Sequence, residues 1–363
     1  MKIKLFCHSL LSDWNHGNAH FLRGIVRELQ RRGHDIDVLE PADGWSRRNL
    51  LREAGPEAID AFQRECPGLA SRTYDPTELD LAVELDDAEL VIVHDWNEPE
   101  LVARIGAHRA RGDYTLLFYD AHHRAASSPE QLAGFDLSAY DAVLAFGAVI
   151  RDVYVERGWA RRVFVWHEAA DTALFRPLAR NGRDKSADLV WIGNWGDGER
   201  SAELREFLLE PARSLGLSGH VHGVRYPPEA ERAVSEAGLS YEGWLPNYRA
   251  PQVFAQHRVT VHVPRRAYVQ RIPGVPTIRV FEALACGIPL VSAPWDDCER
   301  LFRAGEDYLV ARDGTEMKAH LATLLSDPEA AAQLAANGVA RVRERHTCAH
   351  RVDELLAIVE EAH

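Results

Sequence analysis

The residues best suited to chemistry lie in the stretch Gly274-Val-Pro-Thr-Ile-Arg-Val-Phe-Glu-Ala-Leu-Ala-Cys-Gly287. Gly274, Val275, Pro276 and Thr277 read as a loop. Ile278 to Cys286 reads as a short helix, with Thr277 as its N-cap and Gly287 as its stop. A loop that opens onto a helix N-terminus is an anion site, because free N–H groups and the helix dipole both favour negative charge. Glu282 falls opposite the apolar face made by Ile278, Phe281, Leu284 and Ala285. A carboxylate there can accept hydrogen bonds from sugar hydroxyls beside a bound phosphate. The stretch reads equally as an ordinary buried helix–strand unit with one solvated Glu, since Ile288 to Ala293 is an apolar strand run.

Other chemistry-bearing residues follow strand-like runs. The loop Gly193-Asn194-Trp-Gly-Asp-Gly-Glu-Arg200 is glycine-rich without being a dinucleotide fingerprint, and Arg200 at the next helix start can reach a phosphate or stand as a surface residue. His122 and His123 follow the run Thr115 to Tyr119. A neutral imidazole there can bond a ligand hydroxyl or relay a proton, and the plain structural reading applies with more force to His123. Asp95 and Trp96 form a similar strand-end pair, of sugar-facing type or helix-capping. His8, His16 and His20 gather near the first loop with Asp13. A P-loop, a nucleophile elbow and a zinc-protease helix are all absent from the sequence.

These residues need elements to hold them. Strand-like and helical runs alternate along the chain, which predicts parallel sheets wound on both faces. Runs at Ile3 to Ser9, Asp35 to Glu40, Leu90 to His94, Thr115 to Tyr119, Ala142 to Phe146 and Val163 to Trp166 make one sheet. Runs at Leu189 to Ile192, His220 to Gly223, Ser240 to Trp244, Val259 to Val263, Pro289 to Ala293 and Tyr308 to Ala311 make a second. Helices are expected over Asn18 to Arg32, Trp45 to Cys66, Glu98 to Arg111, Ala148 to Gly158, from the Gly193 loop to about Leu215, and from Thr315 onward with a break near His346. The polar stretch Leu178 to Ala187 is the linker candidate. The expected domains are 1–178, 188–345, and a terminal helix 346–363 that packs back on the first. In such sheets ligands bind outside the carboxyl ends of the strands, so two domains facing each other would hold a ligand in the cleft between them.

Composition narrows the partners. A chain of 363 residues suits two domains, and its net charge of -13 disfavours wholesale nucleic-acid binding. Lysine is confined to Lys2, Lys4, Lys185 and Lys318, so an anion clamp must use Arg. No apolar run approaches a membrane span, and no export signal is read. Cys7, Cys66, Cys286, Cys298 and Cys348 are scattered, which argues against a disulfide framework or zinc site and for a reducing cytoplasm.

Four segments resemble the GT-B-fold glycosyltransferases, in particular the retaining group-1 (family 4-like) and CgeB-like members. They are Asn18 to Leu39, Tyr119-Asp-Ala-His122, Asp171-Thr-Ala-Leu-Phe-Arg-Pro177 and Phe281-Glu-Ala-Leu-Ala-Cys-Gly-Ile-Pro-Leu-Val291. The resemblance implies a GT-B architecture of two Rossmann-like domains and transfer of a hexose from a nucleotide-diphosphate sugar, without metal or other cofactor. It implies that Glu282 binds the ribose and that Gly274, Val275, Pro276 and Thr277 contact the sugar and diphosphate. It places Gly243, Trp244 and Leu245 near the base, Gly193, Asn194 and Arg200 near the phosphates, and Gly17, Asn18 and His122 at the donor sugar. This sequence departs from the family pattern in three places. Gly274 stands where an acid is usual, Asn194 where an Arg is usual, and Gly17-Asn18 where a Gly pair is usual. Arg279 or Arg265 then takes over the phosphate, and the CgeB-like pattern favours Arg279. No Asp-x-Asp metal cluster sits at a strand end.

Transfer with retention follows from the resemblance. Inversion would require a first-domain base from His16 or His20 with Asp13. The acceptor is a small molecule, a saccharide or a lipid-linked compound, with peripheral membrane contact open. The rival readings are a nucleotide-sugar epimerase or hydrolase on the same fold, drawing on Asp95, Asp120 and Glu168, and a non-catalytic nucleotide-sugar-binding protein.

Overall fold

The computed structural model describes residues 1–178, 187–196 and 198–362. The linker candidate therefore lies, except for its end residues, outside the described residues, as does Asp197 of the glycine-rich loop. The chain divides into two compact units, Met1–Glu168 with Cys348–His363, and Ala169–Thr347.

The first unit holds seven strands: β1 (Lys2–Phe6), β2 (Asp35–Pro41), β3 (Arg72–Tyr74), β4 (Leu90–His94), β5 (Thr115–Asp120), β6 (Ala142–Ala145) and β7 (Val163–Val165). They pair in parallel in the order β3-β2-β1-β4-β5-β6-β7. β4, β5 and β6 are buried at every position, which is why they are continuous apolar runs rather than alternating ones. The helix Ala19–Arg31 buries Phe21, Leu22, Ile25, Val26 and Leu29, the face its spacing predicts. The last helix, Cys348–Ala362, packs on it. Arg32 Nη1 donates to Asp353 Oδ1 at 2.5 Å, and Trp166 Nε1 donates to the Arg351 carbonyl at 2.8 Å.

The second unit repeats the plan with β8 (Ala187–Ile192), β9 (Gly219–His222), β10 (Ser240–Gly243), β11 (His257–His262), β12 (Leu290–Ser292) and β13 (Leu309–Val310). All pairs are parallel, in the order β10-β9-β8-β11-β12-β13. Strand order reverses between β1 and β4 in one unit and between β8 and β11 in the other. At such a point the loops leave in opposite directions and open a crevice at the carboxyl edge.

Several elements differ from expectation. Trp45 to Cys66 is two helices, Trp45–Ala54 and Glu57–Glu65, because Gly55 takes φ +71° and Pro56 follows. The short edge strand β3 is new. The helix leading to Leu215 contains a π turn at Arg205–Leu209. The tail breaks twice: Asp327 caps a helix starting at Pro328, and a second break follows Arg345. No helix among the described residues is long and apolar enough to cross a membrane.

Candidate functional site

In the second unit, the crevice between β8 and β11 is bridged by Arg200. Its Nη1 donates to the Val263 carbonyl at 3.0 Å, beyond the end of β11. Its Nε donates to the Asn194 carbonyl at 3.1 Å, beyond β8, and Nη2 bonds the same oxygen. The guanidinium lies 5.2 Å from the Trp191 ring centroid. Burial, with Arg265 and Arg279 nearby, lowers its pKa to about 10, so it remains a cation at neutral pH. The sequence reading of Arg200 as a residue reaching out to phosphate is thus modified: the side chain is buried and ties two loops together.

Asn194 has a matching brace, its Oδ1 accepting from the Val224 N–H at 3.0 Å. Gly193 is required by packing. A Cβ there would stand 2.6 Å from the Trp191 indole, whose Nε1 donates to the Gly193 carbonyl at 3.0 Å.

The helix Ile278–Cys286 starts at Thr277, but the Thr277 hydroxyl makes no cap bond. It lies instead 3.0 Å from His262 Nε2, while His262 Nδ1 lies 2.8 Å from Ser292 Oγ. Ser292 donates to the Ala293 carbonyl at 2.7 Å. The protons therefore run one way: His262 Nδ1–H donates to Ser292, and the Thr277 hydroxyl donates to Nε2. Burial and then Arg200 push His262 down to about 3, which keeps the ring neutral. The helix start is left without a side-chain cap, the condition in which its N–H groups suit an anion.

Glu282 is not solvated. It is 0 % exposed, because this helix is buried all round except at Arg279. Asn247 Nδ2 donates to its Oε1 at 2.6 Å, and Arg279 Nη1 closes on Oε2. Asn247 follows Gly243, Trp244 and Leu245, which are half-buried at the end of β10, so the network joins this loop to the helix. Sequence reading missed Asn247 and His262; a polar residue at the end of a strand, as His262, or in the loop beyond one, as Asn247, was the available signal.

Gly274 takes φ +88°, and its N–H donates to the Asp296 carbonyl at 2.6 Å. A Cβ on Gly274 would stand 2.6 Å from Glu299 Oε1. A carboxylate thus lies over the position that lacks one, supplied by another loop. Val275 and Pro276 turn their side chains inward and are buried.

In the first unit, the loop after β1 and the ends of β4 and β5 gather buried polar groups. Asn18 Nδ2 donates to Glu168 Oε1 at 2.7 Å and to the Tyr119 hydroxyl at 3.0 Å. Gly17 beside it is half-buried. Arg124 Nη2 reaches Asp95 Oδ2 at 2.7 Å, with its guanidinium 4.2 Å from the Trp96 centroid. His122 packs edge-on against Trp96 at 4.9 Å, and its backbone N–H donates to Asp120 Oδ1 at 3.0 Å. His123 Nδ1 lies 2.7 Å from Ser127 Oγ. Burial and the charge of Asp95 raise Asp120 to about 8. Among the described residues, no three His, Cys, Asp or Glu side chains converge as a metal site.

Residues 200–357 match the family model described as "Glycosyl transferase-like". No curated protein matches the sequence. Several solved structures share the fold. A glycosyltransferase from Rickettsia africae aligns over 99 % of this chain and 98 % of its own, at 9 % identity and a TM-score of 0.68. Anabaena HepE in complex with UDP and glucose aligns over 99 % and 100 %, at 15 % identity and a TM-score of 0.69. Sucrose-phosphate synthase from Thermosynechococcus elongatus aligns over 100 % of both chains, at 15 % identity and a TM-score of 0.65. At these identities the likeness is one of fold. The chain has the GT-B fold of two Rossmann-like sheets, and its residues 200–357 carry the match to a glycosyl transferase-like domain.

Proposed function

We propose that this chain is a glycosyltransferase that moves a hexose from a nucleotide-diphosphate sugar to an acceptor. The observation that carries the reading is the Arg279–Glu282–Asn247 network behind an uncapped helix start at Thr277. The diphosphate sits at that helix start, where N–H groups, the dipole and Arg279 supply positive potential. As Arg279 turns from Glu282 to the phosphate, Oε2 of Glu282 is released to accept a ribose hydroxyl. Asn247 keeps the other oxygen fixed and carries the base-side loop Gly243 to Leu245 with it. HepE, with the same fold, is known in complex with UDP and glucose.

Catalysis on this reading is electrostatic. Arg279 and the helix N-terminus stabilise the departing diphosphate while the sugar becomes oxocarbenium-like. No metal is assigned a role, the arginines carrying the charge. Retention is the assigned outcome, with the leaving diphosphate accepting the acceptor's proton. The first-unit carboxylates support this, because each already has a partner: Asp95 with Arg124, Asp120 with the Tyr154 hydroxyl at 2.9 Å, Glu168 with Asn18. The same occupancy disfavours the epimerase reading. His122, beside Trp96, is assigned to the donor sugar and the first unit to the acceptor. Five cysteines, all free thiols, suit a reducing cytoplasm.

The test is a panel of nucleotide sugars scored by thermal shift, followed by NMR of the product anomer. A donor that stabilises the protein and is turned over with its anomeric configuration kept supports the reading. Hydrolysis or epimerisation of the donor with no transfer to any acceptor overturns it.

A further inference from the structure

Thr277 stands at the N-cap of the helix Ile278–Cys286 in the extended conformation that a cap requires, φ -77° and ψ 158°, yet its hydroxyl makes no cap bond. Asp313 and Asp327, also extended at their N-caps, do accept N–H bonds from the helices they open. At the Thr277 end the Val280 N–H turns back to the Thr277 carbonyl at 3.1 Å, while the N–H groups of Ile278 and Arg279 meet no acceptor among the described residues. The Arg279 N–H is the group that a Thr277 hydroxyl would cap.

The hydroxyl is engaged elsewhere. His262 and Ser292 face each other in register at the ends of β11 and β12. The imidazole reaches from Ser292 Oγ, at 2.8 Å, to Thr277 Oγ1, at 3.0 Å. Ser292 gives its proton to the Ala293 carbonyl at 2.7 Å, so it can only accept from His262 Nδ1–H. Nε2 is left with a lone pair that needs a donor, and in this buried place the donor is Thr277. A bare buried acceptor carries the full cost of its lost hydration, whereas a forgone cap at a half-buried helix start costs less. The hydroxyl therefore goes to the histidine.

We propose that His262 is a positioning residue for phosphate: by accepting the Thr277 proton it holds that hydroxyl away from the helix start, so the Arg279 N–H stays open for a phosphate oxygen of a nucleoside diphosphate. His262 acts through Thr277 and needs no contact with the ligand. Burial, and then Arg200, keep the ring neutral, which preserves the lone pair on which the arrangement depends. The role rests on the glycosyltransferase reading, which puts the diphosphate at this helix; it adds the reason why the helix stands uncapped.

The experiment is calorimetry on the full chain with UDP, GDP and ADP, each beside its nucleoside. The proteins are wild type, His262→Phe, His262→Gln, Thr277→Val and the double variant His262→Phe with Thr277→Val. His262→Phe removes the acceptor and frees the Thr277 hydroxyl to cap; His262→Gln keeps an acceptor oxygen. For the diphosphate that binds wild type, His262→Phe should lose about fivefold or more in affinity, the strength of a cap that phosphate must now displace, with nucleoside affinity unchanged. His262→Gln should recover most of the loss. Beside Thr277→Val, where no hydroxyl is left to cap, His262→Phe should cost no diphosphate affinity, a coupling that general loosening of the fold does not produce. Thermal midpoints identify a variant that fails to fold. Hydrogen exchange at the Arg279 amide tests the same point without any variant: unprotected in the free protein, protected once diphosphate binds. The proposal alone is overturned if His262→Phe leaves diphosphate affinity unchanged, if its loss persists in full beside Thr277→Val, or if the Arg279 amide is already protected in the free protein. Failure of all three diphosphates to bind wild type overturns the glycosyltransferase reading together with this role.

Discussion

The Arg279 guanidinium closes on Oε2 of Glu282, one helical turn further along, while Asn247 holds Oε1. The two residues that charge and ribose recognition would call on are thus each other's partners in the free protein. On the proposed reading, a nucleotide exchanges that contact rather than simply adding to it.

Removing Glu282 strands two donors. Glu282→Ala should destabilise the protein by about 2–3 kcal/mol in urea unfolding, less than a fully buried pair would cost because Arg279 is partly exposed. It should also weaken uridine and UDP alike. Unchanged affinity for both would remove Glu282 from ribose binding.

The two arginines separate by readout. Arg279→Ala should weaken UDP binding far more than uridine binding. Arg200→Ala should chiefly lower the thermal midpoint, since it releases the Val263 and Asn194 carbonyls. Calorimetry in which Arg200→Ala loses more UDP affinity than Arg279→Ala would reverse the assignment of the clamp.

Gly274 is constrained twice, by φ +88° and by Glu299. Gly274→Ala should cost about 1–3 kcal/mol. Combining it with Glu299→Ala should recover the collision part and leave the backbone part. A double-mutant cycle with no coupling would show that Glu299 does not fill that space.

Several histidines are held neutral: His262 near 3, His8 and His222 near 4. The unfolded chain binds protons at these sites below about pH 6.5 while the folded chain does not, so their share of stability is present above that pH and falls as pH drops, by up to about 1.4 kcal/mol per unit for each ring. Asp120 works the other way. Its raised value gives stability below about pH 4 that is lost as pH rises towards about 8. Equilibrium unfolding of His262→Gln should show a shallower acid slope than wild type. Asp120→Asn should be as stable as wild type near pH 4 and more stable near pH 8.

Both sheets were legible because parallel strands buried on two faces are written as apolar runs, as in Leu90-Val-Ile-Val. β3 was not, since Arg72-Thr-Tyr is three residues at an edge and mostly exposed. The break at Gly55-Pro56 is spelled out in the sequence, a positive-φ glycine followed by a proline. The loop positions were legible too, because strand ends locate them. The burial of Glu282 was not, because its hydrogen-bond partner Asn247 comes from a different element 35 positions earlier. Helical periodicity places a residue on a face but does not report what covers that face.

The final helix belongs to the first unit, where it packs on Ala19–Arg31 and gives the Arg351 carbonyl to Trp166. On the ribosome this reverses the usual order. The second unit is complete once Thr347 emerges, whereas the first, though made earlier, lacks a wall of its core until Cys348–Ala362 has been synthesised. The Trp166 indole waits for its Arg351 partner through translation of the whole second unit, an interval in which a chaperone has something to hold.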